Sequence, residues 1–237
     1  MEFKINSSID IKKAAKLFRK NGRVQVPDIL PVEQAEAVYQ CLQKEVPWRY
    51  VLNDGEINHE FTQSDIQKLS SEQRTNLWNK IRAGAKEGFQ YHYWSYPMLD
   101  AYMEGRDPDL LLHKYFEFIN SPDTLDIIRQ ITGMGDIIKG DAQATWFGPD
   151  QFLTRHNDDP KKEFRRAAFV FNFTKNWLPD WGGYLMFFDD NFNVTEGIKP
   201  SFNALNMFAV PAEHSVSYVP SFANGHRYGI TGWFRYK

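Results

Sequence analysis

The first part of the chain has the spacing of apolar residues that is typical of amphipathic helices. Between Ile9 and Phe18, for example, the apolar side chains fall on one helical face. The segments predicted to be helical are 8–20, 32–46, 64–84, 110–119 and 121–131. A short strand is predicted at 23–26, and the polar stretch 47–62 is predicted to be a loop.

Residues 88–96 form an unusually aromatic run that ends at Pro97. Packing within the N-terminal core is the interpretation we favour, because aromatic side chains bury large apolar areas. The alternative is that this run recognises a substrate, and the segment 48–55 is a second candidate for that role.

From residue 137 onward the pattern changes to short β-type runs separated by glycine, proline, asparagine and aspartate. The predicted strands are 137–147, 167–173, 183–188, 204–210, 215–219 and 228–236. Helices followed by strands predict an α+β fold, in which a barrel or jelly roll is buttressed by N-terminal helices. Because no linker is visible, we expect one domain over 1–237, with 1–136 mainly helical support and 137–237 the core.

Composition and charge narrow the range of functions. The 237 residues carry a net charge of −2, and this disfavours nucleic-acid binding, which usually requires a basic surplus. The single cysteine, Cys41, excludes an intramolecular disulfide and any multi-cysteine metal site. The N-terminus lacks the apolar core of a signal peptide, and no membrane-length apolar run occurs. We therefore expect a soluble cytoplasmic protein, and nothing in the sequence indicates an oligomeric state.

Two candidate metal ligands, His156 and Asp158, follow a predicted strand. On a strand, residues i and i+2 point to the same face, so the imidazole and the carboxylate can reach one point in space. They would be two of the three ligands of a facial iron(II) triad. The spacing alone is a weak signal, and a surface histidine in a polar loop is the alternative interpretation.

A third ligand and a candidate anion partner lie further along the chain. His214 is at the start of a predicted strand, and Arg227 follows within the last strand. An arginine that points into a barrel is costly unless it has an anionic partner, and a metal-bound dicarboxylate would be one. His226 is the rival third ligand, but it faces away from Arg227 on a strand, so we place it at the surface or outside the ligand set.

The order of these elements resembles the 2-oxoglutarate- and Fe(II)-dependent oxygenases, in particular the prolyl 4-hydroxylase-like branch. The resemblance covers about half of the chain, from 119 to 233. Its segments are 141–150 (DAQATWFGPD), 152–159 (FLTRHNDD), 165–172 (RRAAFVFN), 177–183 (WLPDWGG), 200–203 (PSFN), 214–216 (HSV) and 227–233 (RYGITGW).

The resemblance implies a double-stranded β-helix, which is the jelly roll of this family. It implies that His156, Asp158 and His214 bind Fe(II), and that Arg227 pairs with the distal carboxylate of 2-oxoglutarate. Three protein ligands leave three octahedral positions, two for 2-oxoglutarate and one for O2. The expected reaction hydroxylates an unactivated C–H bond and yields succinate and carbon dioxide.

Two positions depart from the family pattern. Relatives often have a tyrosine where this chain has Phe147, and a serine where it has Gly229. Both changes remove a hydrogen-bond donor. Thr145 and Thr231 are candidate replacements in binding 2-oxoglutarate, since each lost bond to a charged group is worth ~1.5–3 kcal/mol.

The remaining candidates have less support. Gln143 and Asn172 are polar residues on predicted strands, and Trp233 closes the Arg227 motif. All three are candidate substrate residues, with outward-facing or strand-bonded polar positions as the alternative for the first two. Trp177 and Trp181 are expected to shape a turn, and Asp159 is expected to be a solvated neighbour of Asp158.

We therefore expect an Fe(II)- and 2-oxoglutarate-dependent dioxygenase. A prolyl residue of a protein or peptide is the expected target, by analogy with the branch. One alternative is a free amino acid or natural-product intermediate as substrate. Another is a non-catalytic jelly-roll module that binds a metal. A cupin-type enzyme without 2-oxoglutarate is disfavoured because it leaves Arg227 without a purpose.

Overall fold

Antiparallel pairing joins strands from both halves of the chain into one curled sheet in the computed structural model, which describes residues 1–158 and 163–237. The predicted Asp159 lies outside the described residues. The strands are β1 (Arg23–Pro27), β2 (Arg49–Asp54), β3 (Ile57–Thr62), β4 (Tyr91–Tyr96), β5 (Lys139–Gly140), β6 (Gln143–Phe147), β7 (Phe152–His156), β8 (Arg165–Phe173), β9 (Leu185–Phe188), β10 (Val194–Ile198), β11 (Phe202–Ala209), β12 (His214–Val216) and β13 (Arg227–Arg235).

The strand order explains how the sheet encloses a cavity. It runs β1-β11-β8-β13-β6-β4-β7-β12-β9-β10, with the β2–β3 hairpin attached to β4 and β5 attached to β13. The strand β4 pairs with β6 through residues 94–96 and with β7 through residues 91–92. It therefore connects the two halves of the sheet. This arrangement confirms the predicted α+β jelly-roll fold.

The helices form where capping residues and apolar spacing agree. They are α1 (Ile11–Asn21), α2 (Val32–Lys44), α3 (Gln63–Lys68), α4 (Ser71–Glu87), α5 (Met98–Glu104), α6 (Leu111–Ile119) and α7 (Pro122–Thr132). Asp10 accepts a bond from the Lys13 amide at the start of α1, and Gly22 ends that helix in the left-handed conformation. None of the helices in the described ranges is long and apolar enough to cross a membrane.

The central strand β8 separates the main core from the cavity. Phe169, Phe171 and Phe173 point to one side, where α6 supplies Tyr115, whose ring centroid lies 5.6 Å from that of Phe171. Ala168 and Val170 point to the opposite side and line the cavity. This double burial explains why the strand is almost continuously apolar.

Several local predictions need correction. The segment predicted to be a polar loop, 47–62, contains the β2–β3 hairpin, and β3 is largely exposed, so its sequence lacks the alternation of a half-buried strand. The predicted helix 64–84 is two helices, because Ser70 caps a new one together with Gln73. The aromatic run contains β4, which is part of the sheet.

Candidate metal and carboxylate site

The predicted metal ligands come together at the ends of two paired strands. His156 on β7 lies opposite His214 on β12, and Asp158 follows two residues after His156. One ligand atom from each of the three residues lies within 4.8 Å of the others. The Nε2 atom of His156 is 3.8 Å from one Asp158 oxygen, and that of His214 is 3.6 Å from the other.

Backbone contacts orient both imidazoles toward the carboxylate. The Nδ1 atom of His156 donates to the Thr154 carbonyl at 3.0 Å, and that of His214 donates to the Ala212 carbonyl at 2.7 Å. Because a carbonyl can only accept, Nδ1 carries the proton and Nε2 is left with its lone pair facing Asp158. This is the tautomer that a metal-ligating histidine needs.

Burial favours the neutral form of His214. Together with the neighbouring His156, burial lowers the pKa of that imidazole to about 4, and Asp158 opposes the change. A neutral imidazole is the form that binds a metal. The donor set of two imidazoles and one carboxylate fits iron(II), with open positions for further ligands.

A buried arginine lies in the same cavity as this cluster. Arg227 is 3% exposed, its Nε has no hydrogen-bond partner, and within the described ranges no carboxylate forms an ion pair with it. Burial lowers the pKa of Arg227 to about 10, which still leaves it charged at neutral pH. A buried cation without an anion is strongly unfavourable, so the site fits an anionic ligand.

The cavity has a volume of about 800 Å³, within the range of small-molecule sites. Thr145 and Thr231 line it, as do Gln143 and Trp233, so these four sequence-predicted residues join the three metal ligands and Arg227 at the site. Asn172 is not among the lining residues. Its amide donates to the carbonyls of Val170 and Ala204 at 3.2 and 3.4 Å, which favours the strand-bonded alternative.

The remaining candidates lie outside the metal cluster. His226 is exposed and its Nδ1 accepts from the Trp146 indole at 2.7 Å, in agreement with its predicted surface position. Trp177 packs edge-on against Trp181, and its indole donates to the Gly182 carbonyl, which is the predicted structural role in a turn.

The two positions that depart from the family pattern lie beside hydroxyl groups. Phe147 pairs with Arg227 across β6 and β13, and its ring centroid is 5.0 Å from the guanidinium carbon. Thr145 pairs with Gly229, where an added Cβ would lie 3.6 Å from the Thr145 hydroxyl. The Thr145 side chain thus lies beside the space that a longer residue at 229 would enter.

Sequence reasoning missed two cavity residues. Arg165 lies with its guanidinium 3.5 Å from Asp158 and 3.7 Å from the centre of the Trp233 ring. Tyr93 on β4 stacks against Phe147 at 4.7 Å between ring centroids. Tyr93 belongs to the aromatic run, so the composition of that run was the available signal.

A curled antiparallel sheet, a His-Asp-His cluster and a buried arginine in one cavity are the features of the Fe(II)- and 2-oxoglutarate-dependent oxygenases. A family model described as the 2OG-Fe(II) oxygenase superfamily matches residues 142–235. The match of this segment confirms the resemblance to the superfamily that the sequence shows. The superfamily uses Fe(II), 2-oxoglutarate and O2, and this indicates an oxidoreductase of the dioxygenase kind.

Solved structures share the fold over almost the whole chain. A prolyl-4-hydroxylase from Pseudomonas putida is 17% identical with a TM-score of 0.60, over 96% of this chain and 100% of that one. A prolyl hydroxylase from Trichoplax adhaerens, in complex with a hypoxia inducible factor peptide fragment, is 18% identical with a TM-score of 0.59, over 95% and 88% of the two chains. No protein with a curated description matches the chain.

Proposed function

We propose that this protein is an Fe(II)- and 2-oxoglutarate-dependent dioxygenase that hydroxylates a prolyl residue of a protein or peptide. The observation that supports it most directly is that one cavity contains both a candidate metal-binding cluster and a buried arginine. The His156–Asp158–His214 cluster presents the donor set of a metal site, and Arg227 is buried without a carboxylate partner among the described residues. A metal-chelating dicarboxylate satisfies both requirements at once.

The residues of the chain have distinct roles in this proposal. His156, Asp158 and His214 hold the metal, and Arg227 binds the distal carboxylate through a charge-assisted pair. When bound, iron(II) would activate O2 as the oxidant and 2-oxoglutarate would serve as the co-reductant, so that a C–H bond is hydroxylated. Apolar side chains exclude water around the reacting groups, namely Leu153, Val170, Leu185, Phe208 and Val216.

A polypeptide substrate is favoured by the entrance to the cavity. Phe89 and Arg155 line the cavity and are both exposed, so they lie at its rim. Asn58 of the β2–β3 hairpin is also exposed and lines the cavity. The Phe89 ring lies 5.3 Å from that of His156. An aromatic and polar rim at the metal cluster suits an extended chain that inserts one side chain, and the relative from Trichoplax adhaerens carries a peptide fragment.

Anaerobic titration tests the metal and cosubstrate. Adding Fe(II) and then 2-oxoglutarate to the protein is expected to produce a metal-to-ligand absorption near ~500 nm, as for a chelated iron site. The variant His156→Ala is expected to abolish this band, whereas His226→Ala, which changes an exposed histidine, is expected to keep it. Folded wild-type protein without the band would favour the non-catalytic metal-binding module.

Product analysis tests the substrate. Peptides from ribosomal and elongation-factor proteins, together with free amino acids, are incubated with Fe(II), 2-oxoglutarate and O2 and screened by mass spectrometry for the gain of one oxygen atom. Hydroxylation at proline in a peptide supports the proposal. Hydroxylation confined to free amino acids would show that the substrate is a small molecule.

A further inference from the structure

Three adjacent strands place aromatic rings in a row that leads to Arg227. Phe147 on β6 lies between Arg227 on β13 and Tyr93 on β4. The rings of Tyr93 and Phe147 are stacked, with an interplanar angle of 25°. Tyr93 is 9% exposed and lines the cavity, so the strand from the first half of the chain brings a phenol to the proposed dicarboxylate site.

Four cavity-lining side chains carry a hydroxyl group, namely Tyr91, Tyr93, Thr145 and Thr231. Three of these hydroxyls already donate to protein acceptors. Tyr91 donates to the Asn58 side chain at 2.8 Å, and Thr231 donates to the Phe169 carbonyl at 2.9 Å. The third bond, from Thr145 to the Gly229 carbonyl, is longer at 3.4 Å.

The Tyr93 hydroxyl is different from the other three. In the part of the chain that the structure describes, it donates to no protein acceptor. Its neighbour Gln143 is held by the Ser95 hydroxyl, which donates to the Gln143 side-chain oxygen at 2.9 Å and leaves the amide nitrogen available. Burial raises the pKa of Tyr93, while Gln143 opposes that rise. The phenol therefore stays protonated at neutral pH and can donate a hydrogen bond.

We infer that Tyr93 is a binding residue for the dicarboxylate, to which its hydroxyl donates a hydrogen bond alongside the ion pair from Arg227. A carboxylate has lone pairs beyond those that a bidentate arginine uses, and Tyr93 supplies an uncommitted donor from the same wall. This inference rests on the proposed function. In this chain, Tyr93 on β4 would supply the phenol that relatives often carry at the position of Phe147.

Equilibrium binding separates this role from a packing role. Manganese(II) replaces iron so that no turnover occurs, and calorimetry measures the dissociation constant of 2-oxoglutarate for the wild type, Tyr93→Phe and Tyr91→Phe. Each variant removes one oxygen atom and keeps the ring. Tyr93→Phe is expected to raise the dissociation constant by about tenfold or more, because a bond to a charged group is lost. Tyr91→Phe is expected to change it by less than about twofold, because its hydroxyl is bound to Asn58.

The outcomes distinguish the two proposals. If wild-type protein loaded with Mn(II) does not bind 2-oxoglutarate, the proposed function fails and this inference fails with it. If the wild type binds but Tyr93→Phe binds equally well, only the role of Tyr93 is overturned. Equal weakening in both variants would also overturn it, since the effect would then not be specific to the uncommitted hydroxyl.

Discussion

The two ends of the cavity differ in how far the protein satisfies its own polar groups. At the metal end, each histidine donates its Nδ1 proton to a backbone carbonyl, and Asp158 lies between the two free Nε2 atoms. At the other end, Arg227 is buried against the Phe147 ring with no ion-pair partner among the described residues. The protein itself provides hydrogen-bond partners for the histidines at the metal end. The charge of Arg227 at the other end is left for an anionic ligand.

This contrast links ligand affinity to stability. A buried charge without a partner costs free energy in the folded protein, and an anion that pairs with it recovers part of that cost on binding. Arg227 is therefore expected to lower the free energy of unfolding of the unliganded protein and to raise its affinity for an anion. At the metal end each imidazole donates to a backbone carbonyl, and the Asp158 carboxylate has the Arg165 guanidinium 3.5 Å away.

The largest expected effect comes from Arg227→Met, which keeps much of the volume and removes the charge. Binding of 2-oxoglutarate to Mn(II)-loaded protein is expected to weaken by about 100-fold or more, because the carboxylate loses its charged partner. The unliganded protein is expected to become more stable by ~1–4 kcal/mol, since an uncompensated buried charge is removed. Calorimetric titration and urea unfolding measure the two changes.

Arg235→Met on the same strand is the matched control for stability. Arg235 pairs with Asp141 and Glu163, and burial already raises the pKa of Asp141 despite that pairing. Removing this arginine leaves Asp141 unpaired and is expected to destabilise the protein. Destabilisation by Arg227→Met as well would show that Arg227 has a partner in the unliganded state.

An intermediate effect is expected from Phe147→Tyr. The new hydroxyl would lie next to Arg227 and donate to a carboxylate there, so the dissociation constant of 2-oxoglutarate is expected to fall severalfold, up to about tenfold. The same calorimetric titration measures it, with thermal unfolding as the check on packing. Unchanged affinity at unchanged thermal stability would show that the carboxylate does not lie within reach of position 147.

The smallest effect on binding is expected from Asn172→Ala. Its amide bonds only to backbone carbonyls and does not line the cavity, so 2-oxoglutarate affinity is expected to stay within about twofold of the wild type. Stability is expected to fall by ~1–3 kcal/mol, because buried carbonyls lose their donor. A large loss of affinity without loss of stability would return Asn172 to the candidate site residues.

The metal end could be predicted from the sequence because local spacing determines much of it. Residues two apart on a strand point to one face, so alternation predicts that His156 and Asp158 reach one point, and the order of the family segments makes this weak signal specific. The cavity role of Tyr93 could not be predicted in this way, since it depends on β4 pairing with strands more than 45 residues away in sequence. Aromatic content alone does not distinguish a core strand from a cavity wall.

The errors in the N-terminal part have local causes. The β2–β3 hairpin carries polar residues on an exposed strand, which reads as a loop when periodicity is the only guide. The break between α3 and α4 did have a signal, because Ser70 and Gln73 form a capping box within the apparently continuous helix. The interruption of the helix is thus encoded by two side chains rather than by a glycine or proline.

The position of β4 has a consequence for which parts of the chain build this cavity. The segment that matches the superfamily, residues 142–235, supplies the metal cluster and Arg227, but Tyr91 and Tyr93 enter the wall from outside it. The metal ligands and this part of the cavity wall therefore come from separate segments of the chain. Substitutions in β4 thus change the wall beside the proposed dicarboxylate site while the three metal ligands stay the same.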